Sequence, residues 1–405
     1  MPAQIPVAET HSLRHVGALR GVSWMLSSDL GVRVANGCRW VVRERHNRGV
    51  GRPRIYPVRW SPPPAPDRAR RATSEVPLPP LRVFDVGGER PEDVLVDPAD
   101  GSVLTGVADG RVLRLRPEDG AVGVVAETGG RPLGLEWLPD GRLLVCDARR
   151  GLLAADPEDG AVEVLATEAD GRPVGLCNNA AVASDGTTWV SDSSTRFGLD
   201  HVQADLLEHS GSGRLIRRDP HGAVEVVAEG LQFPNGVALA VDESRVIVAE
   251  SGKYALSTCR PDPGAQEPAP LLTNLPGVPD NIATGDDGLV WVALAGPRNP
   301  AADRLAPLPG IVRRLVWALP PSMRPPPPSQ VWVLAVDPVS GRVVHDLQGT
   351  HPEFGVTTGV REHDGMVWLG SIQGTTVACF PVPADAGHGP APPAAQPSTD
   401  ADGDT

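Results

Sequence analysis

The sequence predicts an all-β fold, a six-bladed β-propeller with a short cap helix inserted in blade five. Two observations predict it. A unit made of a short β run, an acidic turn and a second β run recurs six times along the chain. The anchors of the uninterrupted copies lie about 42 to 45 residues apart, the spacing of a four-stranded propeller blade.

The copies are read in order. The first opens at Glu92 and turns at Asp100-Gly101; the second opens at Leu133-Gly134 and turns at Asp140-Gly141. The third opens at Asn178 and turns at Asp185-Gly186. The fourth runs through Phe233-Pro234-Asn235-Gly236 and turns at Asp242-Glu243-Ser244. The fifth opens at Asp280-Asn281 and turns at Asp287-Gly288; the sixth opens at Thr358 and turns at Asp364-Gly365. Asp-Gly turns suit tight hairpins because glycine accepts the left-handed backbone that they need. Residues 81–86 form one further β run ahead of the first full copy. They are expected to pair with the last blade and close the ring, leaving no free sheet edge.

In a propeller the first strand of each blade lines the central channel, so the residues opening that strand face a common axis. Here they include Glu92, Asn178, Asn235, Asp280 and Asn281. Two carboxylates and three carboxamide oxygens make a hard, oxygen-only donor set. Such a set suits one divalent cation, calcium best because it accepts six to eight oxygens in a loose geometry, although another divalent cation is allowed. Zinc is disfavoured, since neither Cys nor His stands at these positions. A single Asn or Asp opening a strand is more often a turn residue; four blades in register outweigh that reading.

These motifs resemble the calcium-dependent six-bladed propeller superfamily of gluconolactonases, senescence-marker-type lactonases, paraoxonases and strictosidine-synthase-like proteins. The resemblance spans about residues 75–383. It rests on Pro91-Glu92-Asp93, Asn178 with its Asp185-Gly186 turn, Phe233-Pro234-Asn235-Gly236, Pro279-Asp280-Asn281 and Glu362-His363-Asp364-Gly365. The texture of residues 213–217 and the last of these motifs resemble the strictosidine-synthase-like branch most. The resemblance implies Glu92, Asn178, Asn235, Asp280 and Asn281 as metal ligands. It also implies two departures. Strictosidine synthases use a glutamate where this chain has Thr358. Paraoxonases use a histidine pair whose matching positions here are Leu133 and Asp147. The implied activity is calcium-dependent hydrolysis of a small lactone or related ester, with Asp280, or second to it Asp147, taking the proton from water. A condensing enzyme and a non-catalytic, ligand-binding propeller are the alternatives.

The rest of the chain bounds this reading. With 405 residues and 4% aromatics it is long enough for one large repeat domain. The net charge of −13 argues against nucleic acid and against an anionic membrane as partners. Residues 1–75 are expected to be a disordered, Pro-rich extension; within the first sixty, ten arginines face three acids. Residues 76–383 are the propeller and 384–405 an acidic, disordered tail. The blade-three insertion, residues 193–213, carries His201 and His209, candidate substrate contacts together with Thr358. The blade-five insertion, residues 295–330, puts Ile311, Leu315, Val316 and Leu319 on one helical face. That face is expected to make the channel entrance apolar; a membrane-surface helix over 309–319 is the alternative. Five scattered cysteines form no disulfide framework, which fits a reducing, cytoplasmic setting, and Cys177 reads as a packing residue. The oligomeric state is not legible.

Overall fold

The computed structural model describes residues 52–320 and 329–383. Six four-stranded antiparallel sheets form the blades, with inner strands Leu95–Val96, Pro132–Trp137, Cys177–Val182, Pro234–Leu239, Gly277–Thr284 and Thr357–His363. Arg82–Asp85 supplies the outermost strand of blade six, pairing Arg82 with Cys379 and Asp85 with Thr376. The ring is therefore closed by the early strand, as the sequence predicts. A strand that the sequence did not reveal, Val76–Pro77, adds to blade five in parallel with Val343–Gly349.

The hairpin turns form as their residues dictate. Asp140, Asp185 and Asp287 each accept the backbone N–H two residues on, and Gly186 takes φ +89°. Blade four lacks the glycine, and Glu243 holds the left-handed conformation instead, at φ 53°. The apolar core lies between blades. Each of six buried clusters joins two neighbours; for example, Trp189 and Leu215 of blade three meet Val237 and Val248 of blade four. A blade therefore has no core of its own and is stabilised only by the ring.

Both insertions are helical. The first holds a 3-10 turn, Leu199–His201, followed by α1, Val202–Glu208. The second holds α2, Pro300–Leu305, capped by the Asn299 side chain, and α3, Gly310–Ala318. The cap helix in blade five is thus present, but its orientation differs from expectation. Arg313 and Trp317 are buried, while Ile311 is 57% and Leu315 63% exposed. Arg313 donates to the Leu207 and Val58 carbonyls at 3.0 and 2.6 Å, and Trp317 Nε1 donates to the Pro53 carbonyl at 2.8 Å. Those polar anchors turn the helix, and its aliphatic stripe faces outward.

Two of those acceptors, the Val58 and Pro53 carbonyls, belong to the segment expected to be disordered. Residues 52–75 instead run across the caps as a strap. Ile55 is buried against Phe197, Ala204 and Trp317. Trp60 stacks on His209 with ring centroids 4.2 Å apart. Arg298 donates to the Pro63 carbonyl at 2.8 Å, and Arg68 pairs with Asp346 while stacking over Trp332. Extended, proline-rich backbone cannot satisfy its own carbonyls, so arginines from the blades and caps do so. The expectations for residues 1–51 and for the tail from 384 lie outside the described residues, as does Cys38. The other four cysteines are buried and free.

Candidate metal centre

Five of the six inner strands are interrupted near their start by a register shift that leaves two residues bulged. The shift falls between Pro132 and Leu135, Cys177 and Ala180, Pro234 and Val237, Pro279 and Ile282, and Thr357 and Val360. A bulge re-aims side chains out of the pleat. The first bulged positions are Leu133, Asn178, Asn235, Asp280 and Thr358, with Glu92 the counterpart in blade one. The second positions alternate around the ring: Asp93, Asn179 and Asn281 in blades one, three and five, glycine in the other three. A Cβ on Gly236 would lie 2.2 Å from the Ile282 nitrogen, so the even blades have no room for a side chain there.

The first-position oxygens are held by their nitrogens and hydroxyl neighbours. Asn178 Nδ2 donates to Ser193 Oγ at 2.8 Å, and Asn235 Nδ2 to Asp280 Oδ1 at 2.5 Å. Asn281 Nδ2 crosses the axis to Glu92 Oε1 at 3.1 Å. Every amide nitrogen is thereby used, and every remaining oxygen is left over. Glu92 Oε2, Asn178 Oδ1, Asn235 Oδ1 and Asn281 Oδ1 are all buried and accept no hydrogen bond. Buried polar atoms are rarely left unpaired, since each costs about 1–3 kcal/mol. Four in one place, from four blades, mark a binding site for something that takes oxygen ligands.

The charges point the same way. The Glu92 carboxyl is pushed well above its usual range, first by burial and then by the charges of Asp280 and Asp93. Asp280, half-buried, rises to about 7, by burial and then by Asp93, although the Asn235 hydrogen bond opposes the shift. Asp93 rises to about 6 by burial, but the nearby Arg361 guanidinium offsets part of it. Arg361 itself donates to Glu136 at 3.0 Å, so that part of the channel carries an internal cation. Glu92 has only the Arg131 charge against two carboxylates. Among the described residues no group of three or more His, Cys, Asp or Glu is placed to hold a metal ion by itself. The set is carried by carboxamides, and a hard divalent cation fits it: oxygen-only, with two negative charges and four vacant acceptor atoms.

The other expected site residues have contacts of their own. Asp147 is buried at the end of the second strand of blade two, where Oδ1 accepts the Arg149 and Arg150 backbone N–H groups while Oδ2 is buried without a hydrogen-bond partner. His209 is buried against Trp60 in the cap, and burial, then Arg313 and Lys253, depress its pKa to about 4. His201 stands at the N-terminal boundary of α1. Thr358 Oγ1 donates to the Glu92 carbonyl at 2.7 Å and so braces a ligand strand. Cys177 is buried with Cys146 in the core between blades two and three. Sequence reading missed Asp93 and Asn179, which tie the ring together: Asp93 accepts from the Leu135 N–H at 3.1 Å and Asn179 from the Val237 N–H at 2.9 Å. The alternation of acid or amide with glycine, two residues into each copy, was the available signal.

The apolar side of the mouth comes from elsewhere than α3. Leu133, the first bulged residue of blade two, packs with Ala148, Leu176 and Phe233, and Leu199 and Val202 of the blade-three insertion cover them. Phe233, next but one before Asn235, holds a positive φ of 55°, an uncommon conformation for an aromatic residue.

Comparison with known proteins places this geometry. A family model described as the SMP-30/gluconolactonase/LRE-like region matches residues 91–310. The protein named strictosidine synthase-like 13 of Arabidopsis thaliana is 29% identical over 324 residues, which is 72% of this chain and 78% of that one. A gluconolactonase of Xanthomonas campestris superposes with a TM-score of 0.55 at 20% identity, covering 82% of this chain and 99% of its own. A calcium-binding protein, regucalcin, of Agrobacterium tumefaciens superposes with a TM-score of 0.55 at 15% identity, covering 76% and 95%. At such identities the two structures establish the fold.

Proposed function

This chain belongs to the SMP-30/gluconolactonase/LRE-like family, and we propose that it is a calcium-dependent hydrolase of lactones or related esters. The observation that carries the reading is the group of four buried oxygens without partners, on Glu92, Asn178, Asn235 and Asn281, with Asp280 beside them. Those five residues would hold the ion. Calcium, when bound, supplies Lewis-acid polarisation of an ester carbonyl and stabilises the negative charge that develops on its oxygen.

The chain's own residues do the rest. Ser193, Ser251 and Thr358 lock the ligand strands to the neighbouring blades, by hydrogen bonds to the Pro234, Pro279 and Glu92 carbonyls at 2.6, 2.5 and 2.7 Å. The oxygens are thus fixed before any substrate arrives, which removes reorganisation from the reaction. Asp280 is assigned the proton from the attacking water. Its Oδ1 is engaged by Asn235, and no hydrogen bond among the described residues holds its Oδ2. Leu133, Leu176 and Phe233, with Leu199 and Val202 over them, exclude water on one side and suit an apolar acyl or alcohol group. Thr358, whose hydroxyl is committed to the Glu92 carbonyl, offers no base for a condensation.

The test is hydrolysis of a mixed panel of lactones and aryl esters, before chelation, after it, and with calcium restored. Turnover that disappears with chelator and returns with calcium is expected. Turnover indifferent to chelator would remove the metal from the chemistry, and no turnover on any member would leave a ligand-binding propeller.

A further inference from the structure

The outer face of the cap combines exposed aliphatic side chains with exposed arginines. Along α3 and the turn before it, Leu308, Ile311, Leu315 and Leu319 are 41%, 57%, 63% and 39% exposed. Ile311 and Leu315, four residues apart, share one face of the helix, and Leu308 and Leu319 flank it just beyond its two ends. The strap adds Tyr56, 56% exposed, and Val58, 49% exposed. Contiguous exposed aliphatic side chains mark a surface that meets something apolar.

The charge around the stripe is of one sign. Within residues 52–60, 202–208 and 298–320 the exposed charged side chains are Arg52, Arg54, Arg59, Arg304 and Arg314. The acids of the same segments are withdrawn into the fold. Asp205 accepts from Ser194, Glu208 pairs with Arg196, and Asp303 pairs with Arg298. Beside the stripe a groove of about 540 Å³ is lined by Arg52, Arg54 and Arg314 together with Ile55, Tyr56 and Trp317. Arg314 reaches over the Tyr56 ring, joining groove to stripe. This basic patch sits on a chain whose net charge is −13. Overall repulsion from an anionic surface would therefore orient the molecule, presenting the one face that is attracted.

We propose that the cap face docks on a lipid bilayer containing anionic lipid. The stripe of Leu308, Ile311, Leu315 and Leu319 enters the interface between headgroups and acyl chains, and the arginine-lined groove takes lipid phosphates. Aliphatic side chains in the plane of a helix, flanked by arginines, are the composition that binds such an interface. An acidic protein partner would meet the arginines but would need a complementary apolar groove. A bilayer supplies both chemistries without one. The docking face is also joined to the channel mouth, since α3 packs on α1 through Trp317 and Ala204, and α1 begins at Val202.

The experiment is co-sedimentation of the full chain with vesicles of phosphatidylcholine, pure or with about one third phosphatidylserine. Binding to the anionic vesicles, weakened by salt, is expected. The double substitution Ile311→Asp with Leu315→Asp should lower the partition coefficient at least about tenfold, because it places charge in the interface. Both sites are exposed, so the fold should survive, which circular dichroism checks. Arg54→Glu with Arg304→Glu should remove the preference for anionic over neutral vesicles. Three outcomes would overturn the proposal. The first is a wild-type chain that stays in the supernatant when anionic vesicles are pelleted. The second is a double aspartate variant that binds as well as wild type, which would assign binding to the basic residues before 52. The third is a wild type that stays off vesicles yet forms a dimer, by light scattering, that the aspartates dissociate, which would make the face a contact between copies.

Discussion

The channel mouth and the cap break opposite rules. At the mouth, polar oxygens are buried without partners; on the cap, aliphatic side chains are exposed without cover. Single cases of both occur elsewhere, as at Trp189 Nε1 and Val241, while Trp291, Trp332 and Phe380 are fully buried and the turn aspartates are satisfied by backbone N–H groups. Each violation has a cost in the isolated molecule, and each has a geometry that a specific binding event would relieve. The difference between them is what relieves it. A hard cation would relieve the mouth, and an apolar surface would relieve the cap.

The largest effect should come from the mouth. Glu92→Gln keeps the shape and removes one of the crowded negative charges. The metal-free protein should melt higher than wild type, because the burial and repulsion that raise the Glu92 pKa are gone. The calcium-induced gain should be lost, whereas wild type should gain about 2.7 kcal/mol at calcium a hundred times its dissociation constant. Calorimetry with and without calcium reads both signs. A variant that destabilises the metal-free protein would make Glu92 a structural acid and blur the contrast with the cap.

The next effect is in the strap. Arg313→Ala should strand the Leu207 and Val58 carbonyls, costing roughly 1–3 kcal/mol of local stability. Hydrogen exchange in residues 52–60 and 202–208 should accelerate while the blades stay protected. Uniform acceleration would show instead that cap and propeller open as one unit.

A smaller effect follows from pH. His209 is held neutral by burial, with a pKa near 4 in the fold against 6.5 when free. The unfolded or opened cap therefore binds the proton between those values, and its closure is fully stable above about 6.5 and weakens as pH falls toward 4. Fluorescence of Trp60, stacked on His209, should report opening in that window, and His209→Phe should flatten the profile. The smallest effect expected is for Thr358→Val, which loses one bond to the Glu92 carbonyl and should cost about 1 kcal/mol. Its effect should fall on calcium affinity, read by titration calorimetry, and leave the cap untouched.

Much of the mouth was legible in the residue order. The six copies, their acidic turns and the oxygen-bearing openings are local and periodic, and a ring of repeats gives every copy the same surroundings. Closure by Arg82–Asp85 followed from the same logic, because a propeller tolerates no free edge. Even so, the bulges decided how Asp280 and Asn281 divide their work. The first faces Asn235 of the preceding blade and the second reaches Glu92 of blade one. A two-residue bulge in the ladder leaves no mark in composition.

The cap was not legible in the same way. The apolar stripe of α3 was visible as a helical period, and periodicity says which residues share a face, not which way that face turns. The tertiary structure turned it outward, because Arg313 and Trp317 find backbone carbonyls on the strap more than 250 residues earlier in the chain. The strap in turn is held by those donors together with the packing of Ile55, the stacking of Trp60 and the Arg298 and Arg68 bonds, and its own composition reads as a linker. The sequence by itself determined the ring, its closure and the oxygen set, since these rest on short-range patterns repeated six times. Only the tertiary structure decided the strap, the face of α3 and the split roles of the bulged pair, since these rest on single hydrogen bonds between distant segments that no periodicity announces.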